Sequence, residues 1–140
     1  MTYDASLAWL DSTQHFGIRL GLETTQRLAE ALGSPQATGK FLHVAGTNGK
    51  GSVCAMLDAI LRGGGYRTGL YTSPHLIDFS ERIVVDGRTI SPSDIAAGLT
   101  RIRAVADDLS LSPTYFEVAT LLALDWFAKA GCDYVVLETG

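Results

Sequence analysis

Phe41-Leu42-His43-Val44-Ala45-Gly46-Thr47-Asn48-Gly49-Lys50-Gly51-Ser52 is the stretch that decides the fold. Its first five residues are a short, mostly apolar run bounded by Gly39 and Gly46, as expected of a buried strand in a parallel sheet. Downstream, Val53, Met56, Leu57, Ile60 and Leu61 recur at i, i+3, i+4, i+7 and i+8, which predicts an amphipathic helix with one apolar stripe. The stripe ends at Gly63-Gly64-Gly65, and Thr68 to Tyr71 predicts the next strand. Strand, glycine-rich turn, helix and strand make a βαβ unit. The predicted fold class is therefore α/β, a parallel sheet flanked by helices.

On the N-terminal side, Leu7 and Leu10 behind Asp4 as a cap predict a short helix, and Leu22 to Leu32 a second, closed by Gly33 and Pro35. His15 to Gly21 reads as an ordered loop between them. On the C-terminal side, Asp86-Gly87 lies between Ile83-Val84-Val85 and Arg88-Thr89-Ile90, which predicts a two-residue hairpin that interrupts the alternation. Ser91-Pro92-Ser93-Asp94 supplies a cap, a proline at the first helical position and an early acid for a helix through Ile95, Leu99, Ile102, Ala106 and Leu109. Thr114 and Glu117 have the spacing of a capping box for a helix to Ala130, with Gly131 as its end. The last element is Tyr134-Val135-Val136-Leu137-Glu138, an apolar strand that finishes in an acid.

A chain of 140 residues, 46% hydrophobic and 19% charged, with mean hydropathy +0.17, has the make-up of one compact domain with a real core. The net charge is -4 and Lys and Arg are scattered, so no basic stripe points to nucleic acid or a membrane surface. No apolar run approaches the roughly 18 residues that suggest a membrane span. Cys54 and Cys132 show no CxxC spacing and no accompanying His cluster. They read as reduced core thiols, and the chain as cytoplasmic.

The chemistry concentrates in Gly46 to Ser52. Glycines let successive backbone N–H groups curl around a phosphate, a helix N-terminus adds partial positive charge, Lys50 can reach β- and γ-phosphates, and a hydroxyl can serve Mg²⁺. The match to GxxxxGK[ST] is imperfect, since Val44 stands at the first glycine and Gly51 separates Lys50 from Ser52. Glu138 ends an apolar strand, where ligands of open α/β sheets gather and where P-loop proteins hold Mg²⁺. Tyr71-Thr72-Ser73-Pro74-His75 and Phe79-Ser80-Glu81-Arg82 form a long polar loop leaving the second strand. Pro74 as turn punctuation, Glu81 and Arg82 as a solvated ion pair and His75 as a packing residue explain it equally well. Thr114 to Glu117 is likewise explained by helix capping alone, and His43 as a strand residue.

Together these residues resemble the folylpolyglutamate synthase and dihydrofolate synthase family, a branch of the Mur-ligase-like proteins. The resemblance runs from Leu20-Gly21-Leu22 to Glu138-Thr139-Gly140. Its most specific parts are His43 to Ser52, Tyr71-Thr72-Ser73-Pro74-His75-Leu76 and Thr114-Tyr115-Phe116-Glu117. Gly51 favours the folate branch, since cell-wall Mur ligases usually put Thr or Ser directly after the loop lysine. The resemblance implies a P-loop NTPase-like domain of the Mur ligase central type. It further implies ATP held by Thr47, Asn48, Gly49, Lys50, Gly51 and Ser52, with Lys50 also catalytic, and Mg²⁺ held by Ser73 and Glu138. Leu20, Gly21, Leu22, Thr72, Thr114, Tyr115, Phe116 and Glu117 match positions that contact the pterin-bearing substrate.

The implied reaction activates a carboxylate of dihydropteroate or tetrahydrofolate with ATP to an acyl phosphate, which the amino group of L-glutamate then attacks. No nucleic acid or membrane partner is implied, and the complete enzyme is expected to be a monomer. The family's downstream metal-binding His, carbamylated lysine and C-terminal domain have no match among these residues, whose only lysines are Lys40, Lys50 and Lys129. Residues 1–140 are thus expected to be the N-terminal part of an ATP-binding domain, too short to catalyse alone. A non-catalytic P-loop binding module and a Mur-type cell-wall ligase are the alternative readings.

Overall fold

The computed structural model describes residues 1–17 and 21–138. They form two compact units, one of residues 1–37 and 91–126, the other of residues 38–90 and 127 onward.

The first unit is helical. Helix α1 (Tyr3–Ser12) is capped by the Thr2 hydroxyl, which accepts from the Ala5 N–H at 3.1 Å. The expected cap, Asp4, instead sits in the first turn, where its charge suits the helix dipole. A 3-10 turn (Thr13–Phe16) follows and overlaps the expected loop only at His15 and Phe16; residues 18–20 of that loop lie outside the described residues. Helix α2 (Glu23–Ala31) ends at Leu32 and Gly33, whose φ of 92° only glycine adopts freely. Helix α4 (Pro92–Asp108) opens as expected on Ser91, with Pro92 in the first turn. Helix α5 (Tyr115–Lys129) opens on the capping box, Thr114 N–H donating to Glu117 Oε1 at 3.0 Å and Glu117 N–H to Thr114 Oγ1 at 3.3 Å. Leu10, Leu28, Ile95, Leu99, Ile102, Leu121 and Leu122 are the buried centre of this unit.

The second unit is a five-stranded sheet with helix α3 (Lys50–Gly63). Its strands are β1 (Lys40–Val44), β2 (Thr68–Tyr71), β3 (Ile83–Val85), β4 (Arg88–Thr89) and β5 (Tyr134–Glu138), in the order β1-β5-β2-β3-β4. β1, β5 and β2 run parallel, while β3 and β4 add antiparallel to β2. Asp86 and Gly87 turn the hairpin with φ of 48° and 79°, as a tight primed turn requires. The sheet is thus mixed, because the hairpin that interrupts the alternation joins the same sheet. β1 is its edge and only half-buried, with Lys40 and His43 exposed, in contrast to the buried strand its apolar run predicts.

Helix α3 also departs from the predicted stripe. Cys54 and Asp58 are buried and Leu57 and Leu61 half-buried, whereas Val53, Met56 and Ile60 are exposed. The helix meets the sheet along Cys54, Leu57, Asp58 and Leu61, a row one position round from the most apolar one. Asp58 tolerates this place because Arg62 Nε donates to its Oδ2 at 3.1 Å.

Gly69 in the middle of β2 makes room for Phe127, a buried ring of the same unit. A Cβ at 69 would stand 2.6 Å from Phe127 Cδ1 and 2.9 Å from Cγ, and a ring bends aside less readily than a flexible chain. Gly69→Ala is expected to lower stability by about 1–3 kcal/mol, the cost of overpacking. Urea unfolding with Gly63→Ala as control checks this, since a Cβ at Gly63, the last residue of α3, meets nothing within 4 Å. Equal midpoints for Gly69→Ala and the unmodified chain would contradict it.

Candidate functional site

The order β1-β5-β2 brings three pieces of the second unit to one sheet edge. Val44 at the end of β1 pairs with Glu138, and Tyr71 at the end of β2 pairs with Leu137. Glu138 therefore ends the strand between the two whose following loops carry Thr47 to Ser52 and Thr72 to Ser73. In parallel sheets, loops that leave neighbouring strands at the carboxyl end form the ligand crevice.

The loop from Gly46 to Gly49 is exposed and enters α3 through Gly49, whose φ of 75° opens the helix without a side-chain cap. The other four α-helices each carry an acid in the first turn, but α3 has none and begins with Lys50. An uncapped helix start beginning with a lysine attracts anions. The Lys50 Cγ lies 3.9 Å from where a Cβ at Gly46 would be, and Gly46 has φ of 150°.

Glu138 faces this helix start from the neighbouring strand. Its Oε1 accepts the Ser73 N–H at 3.3 Å, and a Cβ on Gly51 would touch Oε2 at 3.7 Å. Glycine at 51 leaves the carboxylate open on the helix side. Ser73 and Glu138 are thus brought together, and a hydroxyl with a carboxylate is a donor pair of the hard oxygen type that Mg²⁺ takes. Among the described residues no three His, Cys, Asp or Glu side chains gather as a metal site. One carboxylate with phosphate oxygens and water is the usual Mg²⁺ arrangement, so the pair fits that ion. Buried Cys54 lies one turn into α3, and its thiol pKa is raised, first by burial and then by Glu138, against a lowering by Lys50.

The second-strand loop is more ordered than its composition suggests. Thr72 N–H donates to the Arg82 carbonyl at 3.1 Å, and Arg82 Nε donates to His75 Nδ1 at 2.8 Å. Glu81, expected to be a solvated partner of Arg82, accepts three backbone N–H groups of this loop. Their signal was available in Asp78-Phe79-Ser80-Glu81, which has the spacing of a capping box.

In the first unit, Glu117 does more than cap α5, since its Oε2 accepts the Thr25 hydroxyl at 2.6 Å. Thr25 and Leu22 line an apolar pocket of about 180 Å³ with Ala29 and Leu121. Thr25 is the residue missed from sequence, because nothing local pairs α2 with the start of α5. Phe116 is largely exposed and Tyr115 half-buried. Gly21 is exposed, and Leu20 lies outside the described residues.

A parallel strand, a glycine-lysine loop, an uncapped helix and an acid on the adjacent strand define an α/β protein of the phosphate-loop class. No family model matches the chain. It is 42% identical over 145 residues to a probable bifunctional folylpolyglutamate synthase/dihydropteroate synthase of Haloferax volcanii, covering all of this chain and 17% of that protein. It is 41% identical over 134 residues to the dihydrofolate synthase/folylpolyglutamate synthase of Escherichia coli, covering 96% of this chain and 31% of that one. A solved FPGS–AMPPCP complex superposes with a TM-score of 0.91 at 33% identity, over all of this chain and 35% of the other. Over its whole length the chain is similar to part of these folylpolyglutamate and dihydrofolate synthases, and it spans about a sixth to a third of their length. No helix among the described residues is long and apolar enough to cross a membrane.

Proposed function

We propose that residues 1–140 are the N-terminal part of the ATP-binding domain of a cytoplasmic, monomeric ligase that joins L-glutamate to dihydropteroate or to folates. The observation that carries this reading is the Gly46 to Ser52 loop opening uncapped α3 beside Glu138. Backbone N–H groups of Thr47, Asn48, Gly49, Gly51 and Ser52 surround the ATP phosphates, and the Lys50 ammonium neutralises charge on the γ-phosphoryl group as it transfers. Ser73 and Glu138 hold Mg²⁺, which supplies further charge neutralisation when bound.

Activation is required because an amide does not form from a free carboxylate and an amine without an energy source. The carboxylate oxygen attacks the γ-phosphorus and ADP leaves. The glutamate nitrogen then attacks the acyl carbon, inorganic phosphate leaves and the amine loses a proton. Thr114 to Glu117, with Gly21 and Leu22, serve the pterin-bearing substrate, and Thr72 is assigned to it by resemblance alone. Support comes from the apolar pocket beside Leu22 and the fixed Thr25–Glu117 contact. Leu20 is assigned by resemblance alone.

Two measurements test the proposal. The 140-residue chain is expected to bind ATP in the presence of Mg²⁺ by calorimetry. A ligase extended to the length of the relatives is expected to release ADP only when glutamate and either dihydropteroate or tetrahydrofolate are both supplied. ADP release with a UDP-linked cell-wall precursor, or none with any acceptor, would overturn the folate assignment in favour of a Mur-type ligase or a binding module.

A further inference from the structure

Glu81 occupies an unusual position for a surface carboxylate. Its Oε1 accepts the Leu76 N–H at 2.8 Å, and its Oε2 accepts those of Ile77 at 3.0 Å and Asp78 at 2.8 Å. Three consecutive backbone donors thus converge on one anion. Such charge-assisted bonds are about twice as strong as neutral ones, and they lower the carboxyl pKa from its ordinary value.

Apolar packing anchors the loop only at buried Phe79 and not at its tip, where Leu76 and Ile77 are each 92% exposed. Polar ties hold the tip. Asp78 Oδ1 accepts from the Ser80 N–H at 2.9 Å, completing a capping box with Glu81. Arg82 grips the loop at His75 through its side chain and at Thr72 through its carbonyl, and Ile83 next to it is wholly buried in β3. The 3-10 turn from Phe79 to Arg82 is therefore an anchored block, and Glu81 is its arm onto the loop. At the other end of the same loop, the Ser73 N–H meets Glu138 Oε1 at 3.3 Å.

We propose that Glu81 is a positioning residue for the divalent cation: by gathering the N–H groups of Leu76, Ile77 and Asp78 it fixes the loop in the shape that holds Ser73 against Glu138. Glu81 itself touches neither cation nor nucleotide. The proposal rests on the reading of Ser73 and Glu138 as the Mg²⁺ pair.

Glu81→Gln tests it with little change of size. A carboxamide offers one acceptor oxygen in place of two, and its NH₂ group would face a backbone N–H. ATP affinity of the 140-residue chain is measured by calorimetry with Mg²⁺ and again with EDTA. The Mg²⁺-dependent affinity is expected to fall about tenfold, as for other groups that orient a metal ligand. The affinity in EDTA is expected to stay unchanged. Amide hydrogen exchange at Leu76, Ile77 and Asp78 is expected to accelerate, while exchange in α3 and β5 stays unchanged. Unaltered Mg²⁺ dependence, or equal loss with and without the metal, overturns the positioning role. An unmodified chain whose ATP binding ignores Mg²⁺ overturns the metal-pair reading itself, and the role of Glu81 with it. Accelerated exchange throughout the second unit marks Glu81 as merely structural and also overturns the proposal.

Discussion

Lys50→Ala is expected to reduce ATP binding by the 140-residue chain about 10–10²-fold, the loss of one hydrogen bond between charged groups. In a ligase of full length it is expected to abolish ATP-dependent glutamate ligation. Lys50 is the only basic residue of the loop and the first residue of α3, so no neighbouring ammonium can substitute for it. Its backbone N–H remains in the alanine variant, and so do Gly49 and Gly51. The lost affinity therefore reports the ammonium and not the loop's shape. Lys50→Arg separates the two further, because a planar guanidinium keeps the charge but not its point-like geometry. Partial recovery of binding without recovery of ligation is the expected result. An alanine variant that binds ATP as tightly as the unmodified chain would remove Lys50 from the site.

Local features of this fold were legible in the sequence because local chemistry dictates them. Asp86-Gly87 could make only a tight turn, Ser91-Pro92 only a helix start, and Thr114 with Glu117 the reciprocal cap that the structure contains. What periodicity could not supply was the neighbour of each element. That β5 inserts between β1 and β2 is a property of the whole chain, yet it alone sets Glu138 between the two loops. In α3 the apolar period pointed to Val53, Met56, Leu57, Ile60 and Leu61, of which Leu57 and Leu61 are half-buried, but the buried positions are Cys54 and Asp58, the latter paired with Arg62. The contacts of Thr25 with Glu117 and of Glu81 with the loop were hidden for related reasons. One joins residues far apart in sequence, and the other depends on a loop that turns back on itself.

Glu138→Gln is expected to act in the opposite sense on the two forms of nucleotide. Glutamine preserves the size of the side chain and can still accept the Ser73 N–H, but it carries no charge. With Mg²⁺ present, ATP affinity is expected to fall about 10–100-fold, as when a metal site loses an ordering or ligating oxygen. Without metal it is expected to rise, because a carboxylate beside the phosphate loop repels the triphosphate. A purely structural role for Glu138 would weaken both alike. Cys54 provides a second readout inside the same field. Its raised thiol pKa owes most to burial, then to Glu138, and is opposed by Lys50. Glu138→Gln is therefore expected to move the Cys54 titration to lower pH and Lys50→Ala to higher pH. Cys132, which burial pushes up to about 11, has neither group among its causes and stays in place as an internal reference. Opposite displacements of one thiol by two substitutions place both Lys50 and Glu138 within electrostatic reach of Cys54. If Cys54 titrates identically in both variants, the two charges do not share the site, and the phosphate loop and its strand-end acid must be assigned separate roles.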